Sequence, residues 1–132
     1  NKNSKIIFEP GRFIIGNTAI LIAKIIYIKK SSNKNFIVLD AGMNNLMRPA
    51  LYDTQHQIIP LKKTNKLSRG NLEFVGPVCE SADKFSNQKS FSQIKEGDYV
   101  GLTHVGAYGM SLSSNYNTRP TIAEIMVTGS KH

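Results

Sequence analysis

Four short stretches carry side chains whose types and spacing could do chemistry. Cys79 is the only cysteine among 132 residues. It lies in GPVCESADKF (76–85), with Glu80 directly after it. A thiol can act as nucleophile, metal ligand or proton donor, and a lone cysteine also suits the plainer role of a small buried hydrophobe. The Gly76-Pro77 break places Cys79 at a loop end, where functional groups gather, and Glu80 would be costly to bury without a partner. Metal ligation is not supported, because there is no second cysteine and His56, His104 and His132 lack ligand spacing. A Cys–His nucleophile stays open, since such partners need not be neighbours in sequence.

The other three stretches offer anion-binding groups. In FEPGR (8–12), Pro10-Gly11 reads as a turn between Glu9 and Arg12. Gly11 could let the backbone approach a ligand, and Arg12 could grip an anion with two parallel hydrogen bonds. In MRPALYD (47–53), Arg48 and Tyr52 are four apart and would share one face of a helical turn. A guanidinium beside a phenol makes a clamp for carboxylate or phosphate. In GAYGMSLSSNYNTRP (106–120), Gly106 and Gly109 permit an irregular backbone around Tyr108, whose hydroxyl could face a ligand. Each stretch also has an ordinary reading, as a charged turn, a packed tyrosine or a plain loop.

The elements that must position these groups are mostly strands. Ile-rich RFIIG (12–16) and AILIAKIIYIKK (19–30), then NFIVLDAG (35–42), HQIIPLKK (56–63), NLEFVGPV (71–78), GDYVGLTHVGAYG (97–109) and TIAEIMVTG (121–129) recur with Gly, Asn and Pro between them. This pattern predicts an antiparallel sandwich or barrel, with Pro60 pushing its segment to an edge. Helices are expected only as a turn or two near 45–52 and 106–112, with SFSQIKEG (90–97) a weaker candidate. KKTNKLSRG (62–70) and SSNYNTRP (113–120) read as surface loops, and strand-like KIIFEP (5–10) opens the chain.

Composition bounds the function. With 40% apolar and 20% charged residues the chain is globular, of single-domain size. The longest apolar run, AILIAKIIYI (19–28), is broken by Lys24, and none reaches the ~18 residues of a membrane span. One cysteine means a free thiol and points to a reducing compartment, hence the cytoplasm. A net charge of +8 raises nucleic-acid binding as a possibility, but the basic residues are scattered, so no nucleic-acid partner is expected.

Taken in order, EPGR, DAGMNNLMRPALYD, GPVCESADKF and GDYVGLTHVGAYGMSLSSNYNTRP resemble the C-terminal part of the pyridoxal-phosphate-dependent decarboxylases that act on diaminopimelate, ornithine and arginine. The resemblance runs from about Phe8 to Gly129. It implies a mainly all-β chain, a Greek-key β-sandwich or barrel, forming the C-terminal domain of a two-domain enzyme whose (β/α)8 barrel is absent here. Residues 1–12 would be a remnant of the last barrel segment and 13–132 the β-domain. No cofactor lysine of the family's kind is found, so this chain alone is expected to be inactive.

The resemblance also implies roles. Glu9 would pair with the cofactor's pyridine nitrogen, and a protonated ring is the better sink for the electrons left as CO2 departs. Gly11, Arg12 and Tyr108 would touch the cofactor. Arg12, Arg48 and Tyr52 would hold the distal carboxylate of the substrate, Glu80 its distal ammonium, and Tyr108 would touch the substrate as well. Cys79 would protonate Cα. A thiol with an ordinary pKa of about 8.5 is mostly protonated at neutral pH and still a competent acid. In the family, Cys79 and Glu80 would reach the other subunit's site, so a homodimer is expected. Glu80 stands where ornithine-directed relatives carry Asp, and the RPALY clamp suits a distal carboxylate that ornithine lacks. Both details point to the diaminopimelate branch, whose product is L-lysine. Ala82 in place of Gly, and Thr121 where Arg is common, are small departures. The alternative is a β-domain without catalysis that serves for dimerisation or binding.

Overall fold

The structure is a computed structural model, described here over residues 4–129. Its strands are β1 (Leu21–Lys30), β2 (Asn35–Leu39), β3 (Ile58–Pro60), β4 (Leu67–Val75), β5 (Lys84–Ser92) and β6 (Tyr99–Leu102). They form one six-stranded sheet in the order β3-β6-β1-β2-β4-β5. All neighbouring pairs are antiparallel except β2 and β4, which run parallel. The mainly-β expectation therefore holds, with this pair making the sheet mixed. Four short helical pieces accompany it: α1 (Arg12–Ile15), α2 (Arg48–Tyr52) and two 3-10 turns, Met110–Leu112 and Tyr116–Thr118.

Alternation sets the inner face. In β1, Leu21, Ala23 and Ile25 are buried while Ile22 and Lys24 face outward, the period of two that a pleated strand imposes. The β1–β2 register shifts between Ile25 and Tyr27, a bulge of the kind that bends a strand and increases its twist. All six strands feed one cluster, from Leu21 and Ile25 through Phe74 and Phe91 to Leu102. No helical layer covers this face among the described residues, so the sheet must curl around its own core in a barrel-like manner. Phe74 and Phe91 meet edge to face with ring centroids 5.0 Å apart. Glu73 is buried on the same strand, and Lys34 and Lys84 neutralise it at 2.5 and 3.4 Å.

Several sequence expectations need correction. RFIIG is not a strand: it forms α1, with Phe13, Ile14 and Ile15 exposed. KIIFEP and TIAEIMVTG have strand-like composition but no regular structure, and Ile6, Phe8, Ile125 and Met126 are exposed. A strand forms only where a neighbour takes up its backbone groups, and these segments have no such neighbour here. SFSQIKEG is not helical, since its first residues finish β5. That strand is absent from the sequence expectation because only Phe85 and Phe91 are apolar in KFSNQKSFS, and both point inward. The loop expected over 62–70 ends early, because β4 begins at Leu67. Residues 1–3 and 130–132, including His132, lie outside the described residues.

Candidate active site

The fold gathers the anion-binding groups at one place. Pro49 at the second position of α2 starts the helix, being pre-set for a first helical turn. One turn of helix then stacks Arg48 and Tyr52 on one face, with the guanidinium carbon 5.4 Å from the Tyr52 ring centre. The same guanidinium lies 5.9 Å from the ring of Tyr108. Both distances are within cation–π reach. Tyr52 and Tyr108 are each more than half or about half exposed, at 58% and 50%.

Arg12 is brought to the same end of the sheet by the docking of α1. A terminal nitrogen of Arg12 donates to the carbonyl of His104 at 3.1 Å. The Gly106 N–H donates to Gly16 O, and a Cβ on Gly106 would collide with the carbonyl of Ile15. Only glycine lets α1 come this close to the loop that carries Tyr108. Gly11 ends up in van der Waals range of the Tyr108 hydroxyl, 4.0 Å from where its Cβ would be. His104 and Tyr108 both adopt left-handed backbone, φ 60° and 59°, a conformation that non-glycine residues visit rarely and that clusters at functional sites. Glu9 is exposed just before this turn.

Cys79 and Glu80 sit on a different loop, and both are exposed. The Glu80 N–H donates to Val78 O at 2.8 Å, closing a tight turn with Cys79 at its tip. The clasp is Asp83. Its buried carboxylate accepts the backbone N–H of Val78 and that of Met43, each at 2.7 Å. A Cβ on Gly76 would overlap this carboxylate, so glycine is required there. Burial pushes the Asp83 pKa up, against the two backbone hydrogen bonds and Arg119, which hold it down. Arg119 in turn donates to the carbonyl of Asp40. The Tyr116 hydroxyl donates to a Glu80 carboxylate oxygen at 2.5 Å, and this anion raises the Tyr116 pKa. Among the described residues, no hydrogen bond or ion pair joins Cys79 or Glu80 to Arg12, Arg48, Tyr52 or Tyr108.

Residues 12–106 match the family model described as the pyridoxal-dependent decarboxylase C-terminal sheet domain. The chain belongs to this family. A diaminopimelate decarboxylase of Zymomonas mobilis is 43% identical over 98% of the chain, which covers 30% of that relative. A solved protein of Aquifex aeolicus superposes with TM-score 0.83 at 41% identity, over 95% of this chain and 31% of the other. A Helicobacter pylori diaminopimelate decarboxylase solved with L-lysine gives TM-score 0.78 at 41% identity, over 86% and 28%. The chain thus spans about a third of the length of these relatives.

Within this decarboxylase sheet domain, three functional candidates were not legible as such in the sequence. Tyr116 acts on Glu80, and Asp83 on Met43, across long stretches of chain, while the second Asp83 partner, Val78, is five residues away. A Gly-Pro break followed by a carboxylate in an otherwise polar stretch was the only signal for Asp83. His56 carries no local signal in the sequence beyond the absence of ligand spacing. Its Nδ1 is 2.8 Å from Thr103 O, next to the residue on which Arg12 docks.

Proposed function

We propose that this chain is the C-terminal portion, residues 1–12 from the last barrel segment and 13–132 the β-domain, of a decarboxylase that converts meso-2,6-diaminopimelate to L-lysine and CO2. The observation that carries the reading is the convergence of Arg48, Tyr52 and Tyr108, with Arg12 held beside them through His104. Two guanidinium groups and two phenols make a surface for carboxylate and phosphate. Relatives at about 40% identity that carry the name diaminopimelate decarboxylase support the choice of substrate.

The residues present fit pyridoxal phosphate. Glu9 is exposed, Gly11 leaves its backbone open beside the Tyr108 hydroxyl, and Arg12 and Tyr108 add a cation and a donor. When bound, the cofactor supplies the electron sink for loss of CO2. Its lysine would come from outside this chain. Glu9 would pair with the ring nitrogen, and Gly11, Arg12 and Tyr108 would touch the cofactor, Tyr108 at its phosphate. Arg12, Arg48 and Tyr52 orient the distal carboxylate of the substrate, which Tyr108 also touches. Glu80, aligned by Tyr116, takes the distal ammonium. Cys79 holds the proton that is delivered to Cα. No hydrogen bond or ion pair joins Cys79 or Glu80 to the Arg48 cluster among the described residues, which supports a homodimer in which that loop completes the partner's site. The free exposed thiol supports a cytoplasmic setting.

The test is CO2 release by the full-length protein supplied with meso-diaminopimelate, L-ornithine or L-lysine. The reading expects release from the first alone at appreciable rate, and an Arg48→Lys variant with KM raised about tenfold or more, because a point charge replaces a two-pronged fork. Equal turnover of ornithine would sink the substrate assignment. So would a KM unchanged by Arg48→Lys.

A further inference from the structure

The buried side-chain polar atoms without a hydrogen-bond partner among the described residues include Arg48 Nε and His56 Nε2, with Thr54 Oγ1 between them in the chain. The arginine and histidine atoms are of opposite kind. Arg48 Nε carries a proton and can only donate. The His56 ring approaches the carbonyl oxygen of Thr103 with Nδ1 at 2.8 Å. A carbonyl only accepts, so the proton sits on Nδ1, and in the neutral ring Nε2 is left with a lone pair. Burial favours that neutral ring. The Thr103 bond opposes it, while Arg48 from α2, Arg12 from α1 and the neighbouring His104 beyond β6 reinforce it. His56 is 3% exposed, so water from outside does not satisfy Nε2, and a buried acceptor left unpaired is costly.

We propose that His56 is a positioning residue for Arg48, its Nε2 accepting the Arg48 Nε–H when the site is engaged. An arginine that spends Nε on an internal partner keeps both terminal nitrogens for a carboxylate, in one fixed plane. The rings of Tyr52 and Tyr108 lie beside the guanidinium, and His56 adds a restraint at its Nε. The Thr103 bond fixes the imidazole itself, in the way an outer partner orients a working side chain. This inference rests on reading Arg48 as the clamp for the substrate's distal carboxylate.

The experiment compares KM and kcat for meso-diaminopimelate in full-length decarboxylase carrying this segment, with the parent, His56→Asn, His56→Gln, Arg48→Lys and the His56→Asn/Arg48→Lys double variant. Asparagine keeps a donor for Thr103 but has no atom at the Nε2 position. Glutamine gives up the Thr103 bond but can place an acceptor oxygen there. A positioning role expects KM up about tenfold with kcat within about twofold for His56→Asn, near-parental KM for His56→Gln, and no effect of His56→Asn on the Arg48→Lys background, because coupled residues are not additive. Parental KM in His56→Asn overturns the inference. An equal rise of KM on both backgrounds overturns it too, since His56 would then act independently of Arg48. If Arg48→Lys itself leaves KM unchanged, the clamp reading fails and takes this inference with it. Raised KM in Arg48→Lys with parental KM in His56→Asn removes the inference alone. Should His56→Asn yield no folded protein, His56→Leu, which offers no acceptor, takes its place: a KM raised about tenfold supports the role, and parental KM contradicts it.

Discussion

Asp83 holds Val78 by its backbone N–H at 2.7 Å, one residue ahead of Cys79. The same carboxylate takes the N–H of Met43, so the loop bearing the thiol and the loop leading to α2 hang on one side chain. Asp83→Asn tests this clasp. The amide oxygen can accept one of the two N–H groups, but the amide nitrogen then faces the other, leaving a buried donor unpaired. The expected cost is about 1–3 kcal/mol of stability, read as a lowered Tm. Cys79 is positioned by this clasp, so kcat should fall as well. A variant with parental Tm and kcat would contradict the assignment.

Tyr116 bears on Glu80 in a different way. Its hydroxyl donates to the carboxylate from an exposed loop, so Tyr116→Phe should leave the fold intact and release Glu80 from one orientation. The expected result is a KM for meso-diaminopimelate raised about threefold to tenfold, in keeping with loss of a hydrogen bond to a charged group. Parental KM in a folded Tyr116→Phe protein would show that this contact does not serve substrate binding.

His56 makes stability depend on pH with a defined sign. Its pKa in the folded protein lies below the ordinary value of 6.5, chiefly through burial. The unfolded chain therefore binds the proton more readily, and stability is lost as pH falls below about 6.5 toward the lower folded value. Denaturant midpoints of the full-length protein at pH 7.5 and 5.5 should differ more for the parent than for His56→Gln. Identical pH responses of the two would mean that His56 does not contribute.

How much of this was written in the sequence follows from what each residue needs. The strands β1, β2 and β6 are legible because their apolar residues alternate or run together. The Arg48–Tyr52 pairing is legible because it is local, four residues on a helical turn. β5 is not, because two phenylalanines among polar residues acquire meaning only when β4 lies beside them. α1 misleads because Ile-rich RFIIG favours a strand, whereas its position is set by Gly16 and Gly106, 90 residues apart in number. The roles of His56 and Tyr116, and the bond from Asp83 to Met43, arise from partners 36 to 47 residues away, while the Asp83–Val78 bond spans only five. No local spacing rule reaches that far.

Arg48 groups with Tyr52 and Tyr108, Glu80 is held by Tyr116, and no hydrogen bond or ion pair joins the Cys79–Glu80 pair to the Arg48 group among the described residues. Mixing two inactive full-length proteins tests action across the dimer most directly. A Cys79→Ala chain retains its own Arg48, and an Arg48→Ala chain retains its own Cys79. If the thiol serves the partner's site, each mixed dimer has one site with both groups. Under conditions where subunit exchange is verified, an equal mixture should then recover about a quarter of parental CO2 release from meso-diaminopimelate, as random pairing in a two-fold dimer dictates. Each variant alone should stay about 10²–10⁴-fold below the parent, the usual share of a positioned acid in the case of Cys79. Recovery to that level is the predicted result. No recovery despite exchange would contradict action across the dimer, and parental turnover by Cys79→Ala alone would remove the thiol from the reaction.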